Sequence, residues 1–328
     1  MMLQTNAQNK SSLSDTININ NMEILKIKSH IEDLDVALNY MPALKESFNY
    51  PVLFLHGSSF PTALSFGFKM NNTSWMTNLS TNGYNVYSLD FLGYGNSDRY
   101  PEMKNDSAES RVVGRATEAV LDVEKAVDFI LQKTGKNKVY IIGHSWGGSV
   151  AALYASQFPE KVEKLVLFAA ITSRNENYDA ENVKGSYAEM TSKTRIDAMK
   201  NLTPKGKPCL LEKEIFDKWG KIWENSDPFF EKLKKGNVRF PSGPNQDVED
   251  LLHNKPYYSP EKIKASTLII RGKWDQYPSN QDAENLLVTL KNVRSKKYII
   301  LKTGTHVAHL EKSRTQLYNE TLLFLKSK

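Results

Sequence analysis

Apolar residues recur along this chain in two rhythms. The first is a set of short unbroken runs: PVLFL at 51–55, NVYSLDF at 85–91, KVYII at 138–142, KLVLFAA at 164–170, TLII at 267–270 and YIIL at 298–301. They are too short for helices, rich in β-branched and aromatic residues, and bounded by turn formers, so they read as buried strands. Two stretches nearer the start, Met22 to Ile31 and, more weakly, Asp35 to Met41, alternate apolar and polar positions as half-exposed strands do. The second rhythm is helical. From Val112 to Lys133, the residues Val112, Ala116, Ala119, Val120, Val123, Ala126, Val127, Ile130 and Leu131 fall on one stripe, and Gly135 ends it. Shorter helices are expected over Thr73–Asn82, Val150–Gln157, Asn280–Leu290 and Ser313–Leu325. Strands alternating with helices predict an α/β fold, a mostly parallel central sheet with helices on both faces.

The alternation stops at Ile171. For some 90 residues no buried strand is expected; the segment is charged and cut by Pro228, Pro241, Pro244, Pro256 and Pro260. A connection this long needs helices of its own. Residues 172–265 are therefore expected to form an inserted, mainly helical cap (lid), with residues 21–171 and 266–328 as the core and residues 1–20 as a polar, disordered segment. Within the insertion, Ile215, Phe216, Trp219, Ile222 and Trp223 are expected to share one face, as cap core or as pocket wall.

Composition narrows the function classes. The chain has 328 residues and a formal net charge of +6, with its lysines and arginines dispersed. No block of like charge marks a nucleic-acid footprint. The single cysteine, Cys209, excludes an intrachain disulfide and is expected to be inert; no Cys/His cluster suggests a metal. No apolar run is long enough to span a membrane, and residues 1–20 lack a secretory core, so a cytoplasmic location is expected. The oligomeric state is not legible.

The candidate chemistry sits where the strand KVYII meets its helix. Gly143-His144-Ser145-Trp146-Gly147 is a G-x-S-x-G pattern followed by Gly148. A chain turning from strand to helix in so little space forces one residue into strained φ/ψ and needs neighbours without bulk. The serine hydroxyl is then thrust out at the strand's carboxyl end, beside a helix N-terminus that favours developing negative charge. A serine needs a base, which histidine suits, and the imidazole needs a carboxylate on its other nitrogen. Two later strand ends supply candidates: Asp275 after TLII and His306 after YIIL. His309 competes with His306, and Asp282 competes with Asp275. His56 and His144 are expected to be structural, Asp90 and Asp98 to brace a loop, His30 to lie at the surface and His253 to belong to the cap. Gly93-Tyr94-Gly95 lacks the third glycine and following helix of a dinucleotide site and reads as a structural loop.

Read together, HGSS at 56–59, DFLGYGNSD at 90–98, GHSWGG at 143–148, RGKWD at 271–275 and GTHVAHLEK at 304–312 resemble the landmarks of the α/β-hydrolase fold, in order and spacing, from about Ile24 onward. The resemblance implies Ser145 as nucleophile, His306 as base and Asp275 as its orienter. It also implies an oxyanion hole from the backbone N–H groups of Trp146 and Ser58, and no metal or organic cofactor. The expected reaction is hydrolysis of a small-molecule carboxylic ester or amide through an acyl-enzyme. GHSWGG and the Gly272–Asp275 spacing are also similar to proline iminopeptidases, which hold a free amino terminus with cap carboxylates; Glu212, Glu214, Glu224 and Asp227 are the candidates here. Carbon–carbon bond hydrolysis and acyl transfer use the same triad, and some proteins of this fold are small-molecule receptors.

Overall fold

The computed structural model describes residues 22–45, 50–104, 110–233 and 236–327. The expectation of a disordered segment over residues 1–20 lies outside them. The chain forms strands β1 (Glu23–Lys28), β2 (Asp35–Met41) and β3 (Val52–Leu55), helix α1 (Trp75–Thr81), β4 (Val86–Asp90), α2 (Ala116–Thr134), β5 (Val139–His144), α3 (Trp146–Gln157) and β6 (Val162–Phe168). An insertion follows, with β7 (Tyr187–Met190), α4 (Ser192–Asn201), α5 (Gly220–Asn225), α6 (Phe230–Leu233), β8 (Val238–Pro241) and α7 (Gly243–Leu252). The core resumes with β9 (Ser266–Gly272), α8 (Asn280–Thr289), β10 (Lys296–Leu301) and α9 (Arg314–Lys326).

Eight strands make one sheet in the order β1-β2-β4-β3-β5-β6-β9-β10. β1, β2 and β4 pair antiparallel; from β4 through β10 every pairing is parallel. The unbroken apolar runs follow from burial on both faces. Along β3, Leu53 and Leu55 join the cluster containing α2 and α3, while Val52 and Phe54 join the cluster containing α1 and α9. β5 splits in the same way between Ile141 and Ile142. Because β3, β5, β6, β9 and β10 run parallel, their carboxyl ends share one rim, and the loops leaving them meet there.

One part of the insertion departs from the sequence reading. β7 and β8 pair antiparallel, and β8 is buried along its whole length. Its sequence, VRFP, hides this. The Arg239 side chain is buried by stacking on Tyr187 at 3.9 Å and reaching toward Glu189, and Pro241 closes the strand where Ser242 turns the chain into α7. The predicted aromatic face is also narrower than expected. Ile215, Trp219 and Trp223 are buried, but Phe216 is 49% exposed. A π-helical turn over Ile215–Trp219 widens the spacing there, leaving every fourth residue inward. Trp219 donates its indole N–H to the Leu64 carbonyl at 2.9 Å and so seats this face on the core.

Candidate active site

The turn after β5 has the geometry its composition requires. Ser145 has φ 55° and ψ −127°, a left-handed conformation rarely held by a residue with a side chain. It immediately precedes α3. A Cβ on Gly147 would lie 2.2 Å from the His56 carbonyl oxygen and 2.4 Å from that of Leu55, so the first turn of α3 rests directly on the end of β3. This contact brings the loop at 57–60 alongside Ser145.

Two further loops complete the arrangement. The loop after β9 carries Asp275, which is buried, and the loop after β10 carries His306. A Cβ on Gly272 would meet the Gly304 carbonyl oxygen at 2.1 Å, and the Trp274 N–H donates to that same oxygen at 2.9 Å. The two loops thus lie backbone against backbone. His306 Nε2 stands 2.9 Å from Ser145 Oγ, and His306 Nδ1 stands 3.3 Å from Asp275 Oδ2. Asp275 Oδ1 accepts from the Tyr277 N–H at 2.8 Å, and Arg271 donates to the Asp275 carbonyl, fixing the carboxylate's approach.

His309 lies elsewhere. It is fully buried among Phe60, Phe66, Phe168 and His144, and neither ring nitrogen has a hydrogen-bond partner. Burial, reinforced by nearby His306, pushes its pKa down to about 3, so it is neutral. His144 donates from Nε2 to the His306 carbonyl at 2.9 Å and holds that loop down. Burial first, then His309 and His306, drive the His144 pKa well below the ordinary range. His56 donates from Nδ1 to the Gly57 carbonyl at 2.8 Å and accepts the Phe91 N–H on Nε2 at 3.2 Å; its burial also lowers its pKa.

The remaining candidates separate in space. Asp282 closes a capping box with Ser279 at the start of α8 and pairs with Arg174. Asp90 accepts from the N–H groups of Thr62 and Asn96, and Asp98 from that of Asp35, bracing the loop after β4. Tyr94 in that loop donates to the Ser58 carbonyl at 2.6 Å, tying the loop after β4 to the loop after β3. His30 is only partly exposed and is tied at 2.9 Å to buried Asp122, a correction to its expected surface role. His253 bonds to the carbonyls of Glu249 and Tyr178 within the insertion, and Cys209 is a half-buried free thiol. Glu212 pairs with Arg314, Glu214 accepts from Asn71 N–H, Glu224 from Ser192, and Asp227 from the N–H groups of Phe229 and Arg239.

Ser145 and His306 open into a cavity of about 270 Å³, also lined by Gly57, Ser58, Phe60, Ile171, Arg195, Asn245, Val248 and Tyr277. None of the four candidate cap carboxylates lines it. Three contributors were missed from sequence. Tyr94 sits in a stretch read only as a loop. Asp247, on the buried face of α7, accepts from the Trp146 indole N–H at 2.9 Å, from the Ala116 N–H, and from Arg115. The signal available for Asp247 was a carboxylate beside the apolar positions Val248, Leu251 and Leu252. Arg195, on α4, had no signal among so many dispersed cations.

Solved structures match this architecture along nearly the whole chain. The thioesterase domain from the curacin biosynthetic pathway superposes with a TM-score of 0.62 at 15% identity, covering 92% of this chain and 100% of that domain. The fold is that of the α/β hydrolases. An esterase from Exiguobacterium antarcticum agrees, with a TM-score of 0.56 at 20% identity over 92% of this chain and 99% of the esterase. A family model described as the alpha/beta hydrolase fold matches residues 50–201. Curated relatives include the human lysosomal acid lipase/cholesteryl ester hydrolase, 26% identical over 117 residues, and the mouse gastric triacylglycerol lipase, 30% identical over 117 residues. Each match covers 33% of this chain, and only 29% and 30% of the respective lipase. Among the described residues no helix is long and apolar enough to cross a membrane, and no group of three or more His, Cys, Asp or Glu residues is placed to hold a metal ion.

Proposed function

We propose that this protein is a serine hydrolase that cleaves a carboxylic ester of a small molecule through an acyl-enzyme. The observation that carries the reading is the 2.9 Å approach of His306 Nε2 to Ser145 Oγ, with Asp275 on the far side of the ring. In the proposed cycle the hydroxyl oxygen attacks the carbonyl carbon while His306 takes its proton. The oxygen that becomes negative is met by the backbone N–H groups of Trp146 and Ser58, each worth about 3 kcal/mol in such a site. His306 returns the proton to the departing alcohol. Water then attacks the acyl-enzyme by the same route, and acid is released with Ser145 restored. Asp275 holds the Nδ1–H tautomer and balances the imidazolium.

Esters are preferred over peptides on two grounds. The curated relatives are named as lipases. A free amino terminus would find no carboxylate lining the cavity, and would find Arg195 instead. The test is labelling with a fluorophosphonate and turnover of a short p-nitrophenyl ester. Wild type is expected to label once and to turn over repeatedly, and Ser145→Ala to lose both while keeping its circular dichroism. A single labelling event without turnover would turn the reading toward a small-molecule receptor.

A further inference from the structure

Arg195 is the feature of the cavity that ester cleavage does not require. It projects from α4 of the insertion into the lining that Ser145 and His306 share. Its guanidinium lies 5.3 Å from the centre of the Phe60 ring, on the loop that carries Ser58. Its Nε is buried without a hydrogen-bond partner, and among the described residues no carboxylate pairs with it. Three other arginines at the insertion are matched by carboxylates: Arg239 faces Glu189, Arg115 faces Asp247 and Asp250, Arg174 faces Glu176 and Asp282. No acidic residue lines the cavity, whose other polar walls are serines, Asn245, Tyr277 and the histidines.

Withdrawing a guanidinium from bulk water without an anion is unfavourable, and proteins ordinarily supply a partner. A planar fork held near an aromatic ring in the wall of a binding cavity suits a bidentate carboxylate. The attraction to the Phe60 ring holds the guanidinium at the cavity wall without occupying its N–H donors. We infer that Arg195 is a specificity-determining residue that binds a carboxylate of the substrate, so that the preferred esters carry a free acid group in addition to the bond that is cleaved. This rests on the hydrolase reading above and names its substrate class. Arg195 holds the molecule by an end that does not react, and its contribution belongs mainly to KM.

The experiment compares acid esters with neutral counterparts of nearly the same shape. One arm places the acid in the acyl half: p-nitrophenyl hydrogen glutarate against p-nitrophenyl methyl glutarate. The other places it in the leaving half: 4-acetoxybenzoic acid against methyl 4-acetoxybenzoate. Wild type is expected to favour the acid member of at least one pair by about 10- to 100-fold in kcat/KM, the range of a charge-assisted hydrogen bond in a partly buried site. Arg195→Gln should collapse that ratio, chiefly through a higher KM, and Arg195→Lys should restore part of it. Should Arg195→Gln fail to fold, the wild-type ratio and the lysine variant still decide. Cleavage of the neutral esters with no preference for the acids in either arm overturns the carboxylate site and leaves the hydrolase reading in place. Absence of turnover on all four esters together with absence of Ser145 labelling overturns the hydrolase reading and this inference with it.

Discussion

Ser145 holds a positive φ in a position where an L-residue is strained by about 1–3 kcal/mol, in a turn whose Gly147 packs against the backbone at the end of β3. The strain aims one hydroxyl at one imidazole. On the proposed mechanism, Asp275→Asn leaves this geometry intact but presents the wrong tautomer of His306, and turnover should fall by about 10²–10⁴ with little change in KM; steady-state kinetics on the p-nitrophenyl ester check it. His309, three residues further on, has a different consequence. Its folded pKa of about 3 lies below that of an exposed imidazole, so the unfolded chain binds the extra proton. Stability is therefore complete above about pH 6.5 and is lost as the pH falls toward 3, by ~1.4 kcal/mol per unit inside that window. His309→Leu removes this term, and the urea midpoint should vary less steeply between pH 6.5 and 4.5 than in wild type. An equal slope in the two proteins would refute the assignment of His309 as a buried neutral group.

At the scale of elements, α7 is one of the pieces that fasten the insertion to the core. Asp247 on α7 bonds to the first N–H of α2 and to the indole of Trp146 at the start of α3, and it pairs with Arg115. Asp247→Ala would leave the Ala116 N–H and the Trp146 indole N–H buried without an acceptor, while Arg115 keeps Asp250, and should cost about 1–3 kcal/mol in urea unfolding. The sequence foretold the elements whose burial is periodic. α2 showed its stripe because one face packs and the other is wet, and β5 showed an unbroken run because both faces pack. The loops of the candidate site were legible because GHSWGG, RGKWD and GTH carry glycines where backbones touch. What stayed hidden were elements whose burial is achieved by pairing. Arg239 in β8 reads as solvated until Tyr187 and Glu189 are placed around it. Arg195 and Asp247 stand far from Ser145 in sequence, and only the fold brings them near it.

For the whole molecule, the last helix is tied to the interior of the sheet. Lys164, near the start of β6, is buried and donates to the carbonyls of Phe324 at 2.9 Å and Leu325 at 3.1 Å, closing the C-terminus of α9. A cation there satisfies carbonyls that the helix cannot and complements its dipole. Lys164→Met should lower the unfolding free energy by about 1–3 kcal/mol by leaving the Leu325 carbonyl unmet, that of Phe324 keeping Ser327, and amide exchange in α9 should quicken more than in α1. If both helices exchange as in wild type, the lysine is not what fastens α9.

The seam between Gly272 and Gly304 bears on how such proteins are altered. Since the two backbones touch with no room for even a methyl group, the segments bearing Asp275 and His306 act as a single casting. A designer who transplants one of them from another scaffold will have to carry its companion along.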